Sequence, residues 1–257
     1  MIIDRFRLDG RRAFITGGGT GIGFTAALAF VEAGADVVIA GPEAGVLDQA
    51  QAILKAKGHE VGTTLLDITR SVDCERAADR INSERGPVDI LVANAGVTWP
   101  DTAAQELSDE AWLKVFDVNV NGTYWTCRAF GRHMLGRKRG AIVTTGSISG
   151  VISNKPQRQA HYNSSKAAVH HLTRCLAGEW APNGVRVNCV APTYVNTPMS
   201  SGNADMPFYF GPWMDSTPQG RMVEPDEIAS VMLFLASDAS SAMTGSIVLA
   251  DAGYTIW

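Results

Sequence analysis

Tyr162 and Lys166 stand one helical turn apart in the run Tyr162-Asn-Ser-Ser-Lys166, which sets a phenol and an ammonium on the same face of a helix. A cation so placed can lower the phenol's pKa and create a proton donor and acceptor usable near neutral pH. Far upstream, the glycines of Thr16-Gly-Gly-Gly-Thr-Gly-Ile-Gly23 let backbone N–H groups approach phosphate oxygens at the start of a helix. A proton-transfer pair together with a pyrophosphate site points to hydride transfer on a dinucleotide. An unperturbed tyrosine titrates near pH 10, so half ionisation at neutrality needs about 4 kcal/mol of phenolate stabilisation. Lys166 and a positively charged nicotinamide are its expected source.

Such residues work only if the fold brings them to one edge. Short apolar runs at 13–16, 36–40, 60–66, 89–93, 141–145, 185–190 and 246–249 alternate with helical patterns at 22–33, 43–57, 71–85, 108–135, 159–180 and 225–236. This rhythm predicts an α/β fold: a doubly wound (Rossmann-type) seven-stranded parallel sheet with helices on both faces. Gly34 and Gly86-Pro87 read as helix stops, and Ser71 and Ser108 as N-caps. No composition break divides the chain, so 1–257 is expected to be a single dinucleotide-binding and catalytic domain. The rhythm fails at 197–220, where four prolines crowd with Phe208, Tyr209, Phe210 and Trp213. A long insertion at that point is expected to be a substrate lid.

Open parallel sheets bind ligands beyond the carboxyl ends of their strands. There the sequence sets Gly17, Gly21 and Gly23, spaced G-x-x-x-G-x-G, after the first strand. Gly41 ends the second strand, with neither a carboxylate for a ribose 2′-hydroxyl nor an arginine for a 2′-phosphate. Asp67 follows the third strand, as an adenine reader or a helix cap, and Asn94-Ala-Gly96 follows the fourth. Ser147 and Ser149 follow the fifth, where a hydroxyl can hold the oxygen of a reacting alcohol or carbonyl. Asn119 lies in the middle of the long fourth helix, where a buried amide needs a partner. It is placed to hold a water beside Lys166.

Other chemistries find less support. Apolar residues make up 46% and charged residues 19% of the chain, which suits a globular protein and not a disordered one. A net charge of −4 and one short basic cluster, Arg137-Lys-Arg139, argue against nucleic acid as a partner. Cys74, Cys127, Cys175 and Cys189 form no C-x-x-C pair and read as buried thiols. His161, His170 and His171 have no carboxylate or cysteine at ligand spacing, so no metal is expected, and no G-x-S-x-G elbow marks an acyl hydrolase. With no signal peptide and no membrane-length apolar run, a cytoplasmic enzyme with a small-molecule substrate and no membrane partner is expected.

Over essentially its whole length the chain resembles the short-chain dehydrogenases/reductases. Thr16 to Gly23 match the family's T-G-x-x-x-G-x-G, Asn94-Ala-Gly96 its N-A-G, and Tyr162 to Lys166 its Y-x-x-x-K. Asn119 and Ser147 fall where the other two members of its Asn-Ser-Tyr-Lys tetrad belong. The segments Phe6-Arg-Leu-Asp-Gly10, Ala129-Phe-Gly-Arg132, Ala168-Val-His170 and Gly253-Tyr-Thr-Ile-Trp257 are similar to the polyol-oxidising members, the galactitol dehydrogenases among them.

The resemblance implies an NAD(P)-dependent oxidoreductase acting on a secondary alcohol, a polyol or diol, or on its ketone. A 3-oxoacyl-carrier-type reductase using NADPH is the alternative, and a non-catalytic dinucleotide-binding regulator a more distant one. Asn119, Ser147, Tyr162 and Lys166 would be catalytic. Cofactor contacts are implied in the first turn at Gly17, Thr20, Gly21, Ile22 and Gly23, and beyond the second and third strands at Gly41, Asp67 and Ile68. Asn94, Ala95 and Gly96 would follow, with Tyr162 and Lys166, and then Pro192, Thr193, Val195 and Thr197 after the sixth strand. Ser147, Ser149, Asn154 and Tyr162 would face the substrate.

Two departures from the family pattern matter. The family often has Pro-Gly where this chain reads Pro192-Thr193, and Ser147 lies two residues farther from Tyr162 than is common, a spacing that Ser149 satisfies. Ser147 is preferred because Gly150 keeps its usual offset. Because neither Thr20 nor Pro42 offers a basic side chain, NAD is expected as cofactor, with NADP left open. A homotetramer is implied by the resemblance alone.

Overall fold

The computed structural model describes residues 1–201 and 206–257. Seven strands form one sheet: β1 (Arg12–Thr16), β2 (Asp36–Gly41), β3 (Gly62–Leu65), β4 (Ile90–Ala93), β5 (Gly140–Thr145), β6 (Val185–Pro192) and β7 (Ile247–Ala250). They lie in the order β3-β2-β1-β4-β5-β6-β7, every neighbour parallel. The order reverses between β1 and β4, which opens a crevice at their carboxyl ends.

Alternation along the strands feeds two apolar layers. Ala13, Ile15, Val37 and Ile39 pack with Phe30, Leu54, Ile228 and Met232, from α1 (Gly21–Glu32), α2 (Ala44–Ala56) and α9 (Pro225–Ala236). Phe14, Val38 and Leu91 pack on the other face with Ile81, Phe130 and Leu176, from α3 (Ser71–Glu84), α5 (Thr123–Arg137) and α6 (Ala160–Trp180). The Phe14 and Phe130 rings meet at 4.4 Å, and full burial of one such side chain contributes about 1.5–3 kcal/mol. The expected doubly wound sheet is the observed one.

Several local expectations need correction. The helix expected at 108–135 is α4 (Asp109–Phe116), a π-helical turn (Asp117–Gly122) and then α5. Ser108 does cap it, its hydroxyl accepting from Ala111 N at 3.2 Å. Ser71 does not cap α3: it is the first helical residue, Arg70 stands at the cap, and the Ser71 hydroxyl accepts from Arg128. The third strand begins at Gly62, two residues later than expected, and ends at Leu65, so Asp67 lies beyond it. Cys175 is exposed, unlike the other three cysteines. Within 197–220 the chain forms α7 (Pro198–Ser201) and α8 (Met206–Ser216), while residues 202–205 of that segment lie outside the described residues. Among the described residues no helix is long and apolar enough to cross a membrane.

Candidate active site

A cavity of ≈ 270 Å³ opens at the carboxyl edge of β1, β4, β5 and β6. On one side stand Gly17, Thr20, Gly21 and Ile22, then Asn94, Ala95 and Gly96. Pro192, Thr193, Val195 and Thr197 form another wall, and Ser147, Ser149, Asn154, Tyr162 and Lys166 a third. Four of the residues singled out in the sequence as cofactor contacts lie outside the lining. Gly23 is one, and it acts through the turn: a Cβ there would sit 2.2 Å from Gly17 O. Gly41 lies at the end of β2, and Asp67 Oδ1 accepts from Thr69 N at 3.0 Å and Thr69 Oγ1 at 2.7 Å. Ile68 is turned into the core, against Gly122. Asn119 also lies outside the lining, behind Gly96: a Cβ on Gly96 would be 3.2 Å from Asn119 Oδ1 and 3.4 Å from Lys166 Nζ.

The strand ends are tied together by their own side chains. Asn94 Nδ2 donates to Thr16 O at 3.2 Å, and Thr145 Oγ1 donates to Asn94 Oδ1 at 3.2 Å, which joins β1, β4 and β5. Gly17 adopts φ +64°, and a Cβ there would meet Ala95 Cα at 3.0 Å. Only glycine suits that conformation and that contact.

The π-helical turn buries Asn119, 1% exposed, among groups it satisfies. Its Oδ1 accepts from Val97 N at 2.8 Å, and its Nδ2 donates to Val97 O at 2.9 Å and to Ser165 Oγ at 3.0 Å. Ser147 begins a 3-10 turn after β5, its hydroxyl accepting from Ser149 N at 3.1 Å. The Ser147 side chain also acts on the Tyr162 phenol, drawing its pKa down, so Ser147, and not Ser149, stands beside the phenol.

Lys166 Nζ donates to Thr145 O at 2.8 Å and lies over the Tyr162 ring, 5.6 Å from its centroid. In this arrangement the expected lowering of the phenol by Lys166 is not present. Burial pushes Tyr162 up to about 12, with the neighbouring Ser147 side chain opposing. Burial likewise pushes Lys166 down to about 8. The ammonium faces the ring and a backbone carbonyl rather than the hydroxyl, so desolvation wins.

The structure brings into the site His170, which the sequence weighed only as a metal ligand. His170, one turn after Lys166 on α6, receives the Ser147 N–H on Nε2 at 3.4 Å. Burial, with the charges of Lys166 and Arg174, pushes it down to about 4, so it stays a neutral acceptor. It fits because Gly146 and Gly150 flank it: Cβ atoms there would come within 2.3 Å and 2.5 Å of the ring. The motif spacing held a signal for His170, since positions 162, 166 and 170 share one helix face.

Asp101, Tyr194, Tyr209 and Trp213 also line the cavity. Tyr209 Oη donates to Asp101 Oδ2 at 2.6 Å, and Arg158 Nε donates to Asp101 Oδ1 at 2.7 Å. The Tyr194 and Trp213 rings stack at 3.9 Å and 10°. No motif marks these residues; they meet only because α8 folds back over the strand ends.

The lining fits a dinucleotide. Gly17 and Gly21 keep the β1–α1 turn clear of side chains, and Thr193 Oγ1 is buried without a partner in the wall beyond β6. A buried hydroxyl of that kind suits a carboxamide. Lys166 uses one of its three ammonium protons on Thr145 O, leaving two for ribose hydroxyls.

Known proteins carry the same plan. A family model described as Enoyl-(Acyl carrier protein) reductase matches residues 17–255. The chain is 49% identical to a galactitol 2-dehydrogenase of Rhizobium johnstonii over 257 residues, 98% of each chain. Among solved structures, gox2181 superposes with a TM-score of 0.98 at 46% identity, covering 100% of both chains. A gluconate 5-dehydrogenase from Burkholderia cenocepacia, solved with NADP and tartrate, superposes with a TM-score of 0.94 at 32% identity, again over 100% of both. With its motifs, its cavity and these relatives in agreement, the chain belongs to the short-chain dehydrogenase/reductase family.

Proposed function

We propose that this oxidoreductase oxidises a secondary alcohol of a polyol or diol, and reduces the corresponding ketone, in the cavity bounded by Ser147 and Tyr162. The observation that carries this reading is the meeting of Ser147, Tyr162 and Lys166 in one cavity, with Lys166 Nζ over the Tyr162 ring on the same helix face. A nicotinamide dinucleotide bound there supplies the hydride acceptor or donor. Gly17, Thr20, Gly21, Ile22 and Asn94 would hold it, together with Thr193 and the Lys166 ammonium. Ser147 orients the substrate oxygen, and Tyr162 takes its proton in oxidation and returns it in reduction. Asn119 positions the segment after β4 and supports a water beside Lys166 that passes the proton to solvent.

The phenol and the ammonium are both displaced from their ordinary values against ionisation. The cationic ring of an oxidised nicotinamide favours the phenolate, which assigns proton removal to the assembled complex rather than to the free chain. For the cofactor we favour NAD: Gly41, Pro42 and Glu43 at the end of β2 offer no cation for a 2′-phosphate, although the Burkholderia relative was solved with NADP.

Residues 197–220, carrying Tyr209 and Trp213, act as a lid within a single domain. They contain no Lys or Arg, which disfavours an acidic acyl carrier as partner. The exposed Ile256 and Trp257, with Leu113 on α4, support a homotetramer; three buried free thiols support a reducing cytoplasm. The test is to follow reduced-cofactor absorbance with polyols, diols, ketones and 3-oxoacyl thioesters, NAD and NADP in parallel. Turnover of polyols with NAD is expected; activity confined to acyl thioesters with NADPH would overturn the reading.

A further inference from the structure

Besides Thr193 Oγ1, two residues of the cavity wall carry a buried polar atom without a partner: Asn154 Oδ1, an acceptor, and Trp213 Nε1, a donor. Their residues are 6% and 3% exposed. Leaving such a group unpaired costs about 1–3 kcal/mol, so two in one cavity wall call for a complementary group. Tyr194 joins them. Asn154 Nδ2 donates to Tyr194 Oη at 3.1 Å, and the Tyr194 ring stacks on Trp213. The Tyr194 hydroxyl donates onward to Gln157 Oε1 at 3.4 Å. Burial raises the Tyr194 phenol above its usual range, so it stays a neutral donor. An alcohol hydroxyl offers both a donor for Asn154 Oδ1 and an acceptor for Trp213 Nε1.

The charges of the cavity narrow the ligand further. Among the described lining residues only Lys166 and Asp101 are charged. Lys166 is engaged with Thr145 O, and Asp101 is paired with Arg158 and Tyr209. Residues 202–205 add no base, since they read Gly-Asn-Ala-Asp. A carboxylate carried into this wall would be desolvated without a cation to meet it.

We propose that Asn154 and Trp213 form a subsite for a further hydroxyl of an uncharged polyol, and that this wall selects against sugar acids. The proposal rests on the reaction assigned above and adds its selectivity. Oδ1 of Asn154 accepts the hydroxyl proton, and Nε1–H of Trp213 donates to its oxygen. Chains too short to reach the subsite lose this pair of bonds but still react at Ser147 and Tyr162.

The test compares kcat/KM for a hexitol, a four-carbon vicinal diol and a six-carbon aldonate in the full chain and in Asn154→Ala and Trp213→Phe. The wild-type chain is expected to prefer the hexitol to the aldonate by at least about a hundredfold, two such bonds at about tenfold each. The hexitol-to-diol ratio is expected to fall about tenfold in each variant. Trp213→Phe keeps the ring stack, so it reads the N–H alone. A ratio within twofold of wild type in both variants overturns the subsite, as does a parallel fall for hexitol and diol. Equal turnover of aldonate and hexitol overturns the charge selection. If the wild-type chain oxidises neither alcohol, the assigned reaction fails and the subsite with it.

Discussion

Asn119 holds Val97 by both of its backbone groups, accepting from Val97 N at 2.8 Å and donating to Val97 O at 2.9 Å. The side chain takes the place of a neighbouring strand for the segment that leaves β4 and lines the cavity. Asn119→Leu would leave these backbone groups without partners at a cost of about 1–3 kcal/mol each. Calorimetry is expected to show a melting temperature lowered by several degrees. An unchanged melting temperature would show that Val97 finds other partners.

Asp101 links three segments around the cavity mouth, through Tyr209 on α8 and Arg158 on the loop before α6. Burial raises its carboxyl, but the hydrogen bonds from Tyr209 and Arg158 prevail and hold it below the usual carboxylate range. Asp101→Asn removes the charge and loosens α8. Steady-state kinetics should give a KM for the alcohol raised about tenfold, the equivalent of one charge-assisted bond, with cofactor affinity unchanged. A fall in kcat with KM unaltered would place Asp101 in the chemistry instead.

At the start of α9, Glu227 accepts from Arg221 Nη1 and Nη2 at 2.6 and 2.7 Å and from Glu224 N at 2.8 Å. Those bonds hold its carboxyl down at about 2, from an unfolded value of 4.5. A depressed folded value stabilises the fold above the unfolded value, and the contribution is lost as pH falls through 4.5 towards 2. Because the pair is largely exposed, solvent screening limits it to about 0.5–1 kcal/mol. Glu227→Gln should melt a few degrees lower at pH 7, with the difference closing at the acid end. A gap that persists at pH 2 would assign the effect to packing.

For Lys166 the sign is reversed. Its folded value, about 8, lies below the usual 10.5, so unfolding takes up a proton between those values and stability rises with pH across that window. Binding should run the other way, because the ammonium proposed to meet the ribose is lost above about pH 8. Calorimetric titration is expected to show pyridine-nucleotide affinity falling about tenfold from pH 7 to pH 10, and a flat profile in Lys166→Met. The same slope in both proteins would exclude Lys166 as its source.

Much of this was legible in the sequence because it is periodic or local. All seven strands and the 225–236 helix follow from apolar spacing, and α9 spans Pro225–Ala236. The glycine turn, Asn94-Ala-Gly96 and the Tyr162–Lys166 pair converge on one cavity. The π-helical turn was not legible, since one extra residue per turn leaves no mark in a 3.6-residue pattern, yet it is what turns Asn119 inward. Asp101 and Tyr194 were missed for another reason. Their partners are distant in sequence, Tyr209 from Asp101 and Trp213 from Tyr194, and only the return of α8 over the strand ends creates them. The phenol's environment was misjudged because helical spacing fixes a shared face but not the atom to which the ammonium points, and here that atom is Thr145 O.

The proposed reaction turns on Tyr162 as the group that moves the substrate proton. Single-turnover absorbance of the nicotinamide, with a hexitol and saturating cofactor, compares the wild-type chain with Tyr162→Phe. A hydride-transfer rate lowered by at least about a thousandfold, within the range for loss of a positioned acid or base, is predicted, with cofactor affinity within about twofold. A rate in the variant within tenfold of wild type would contradict it.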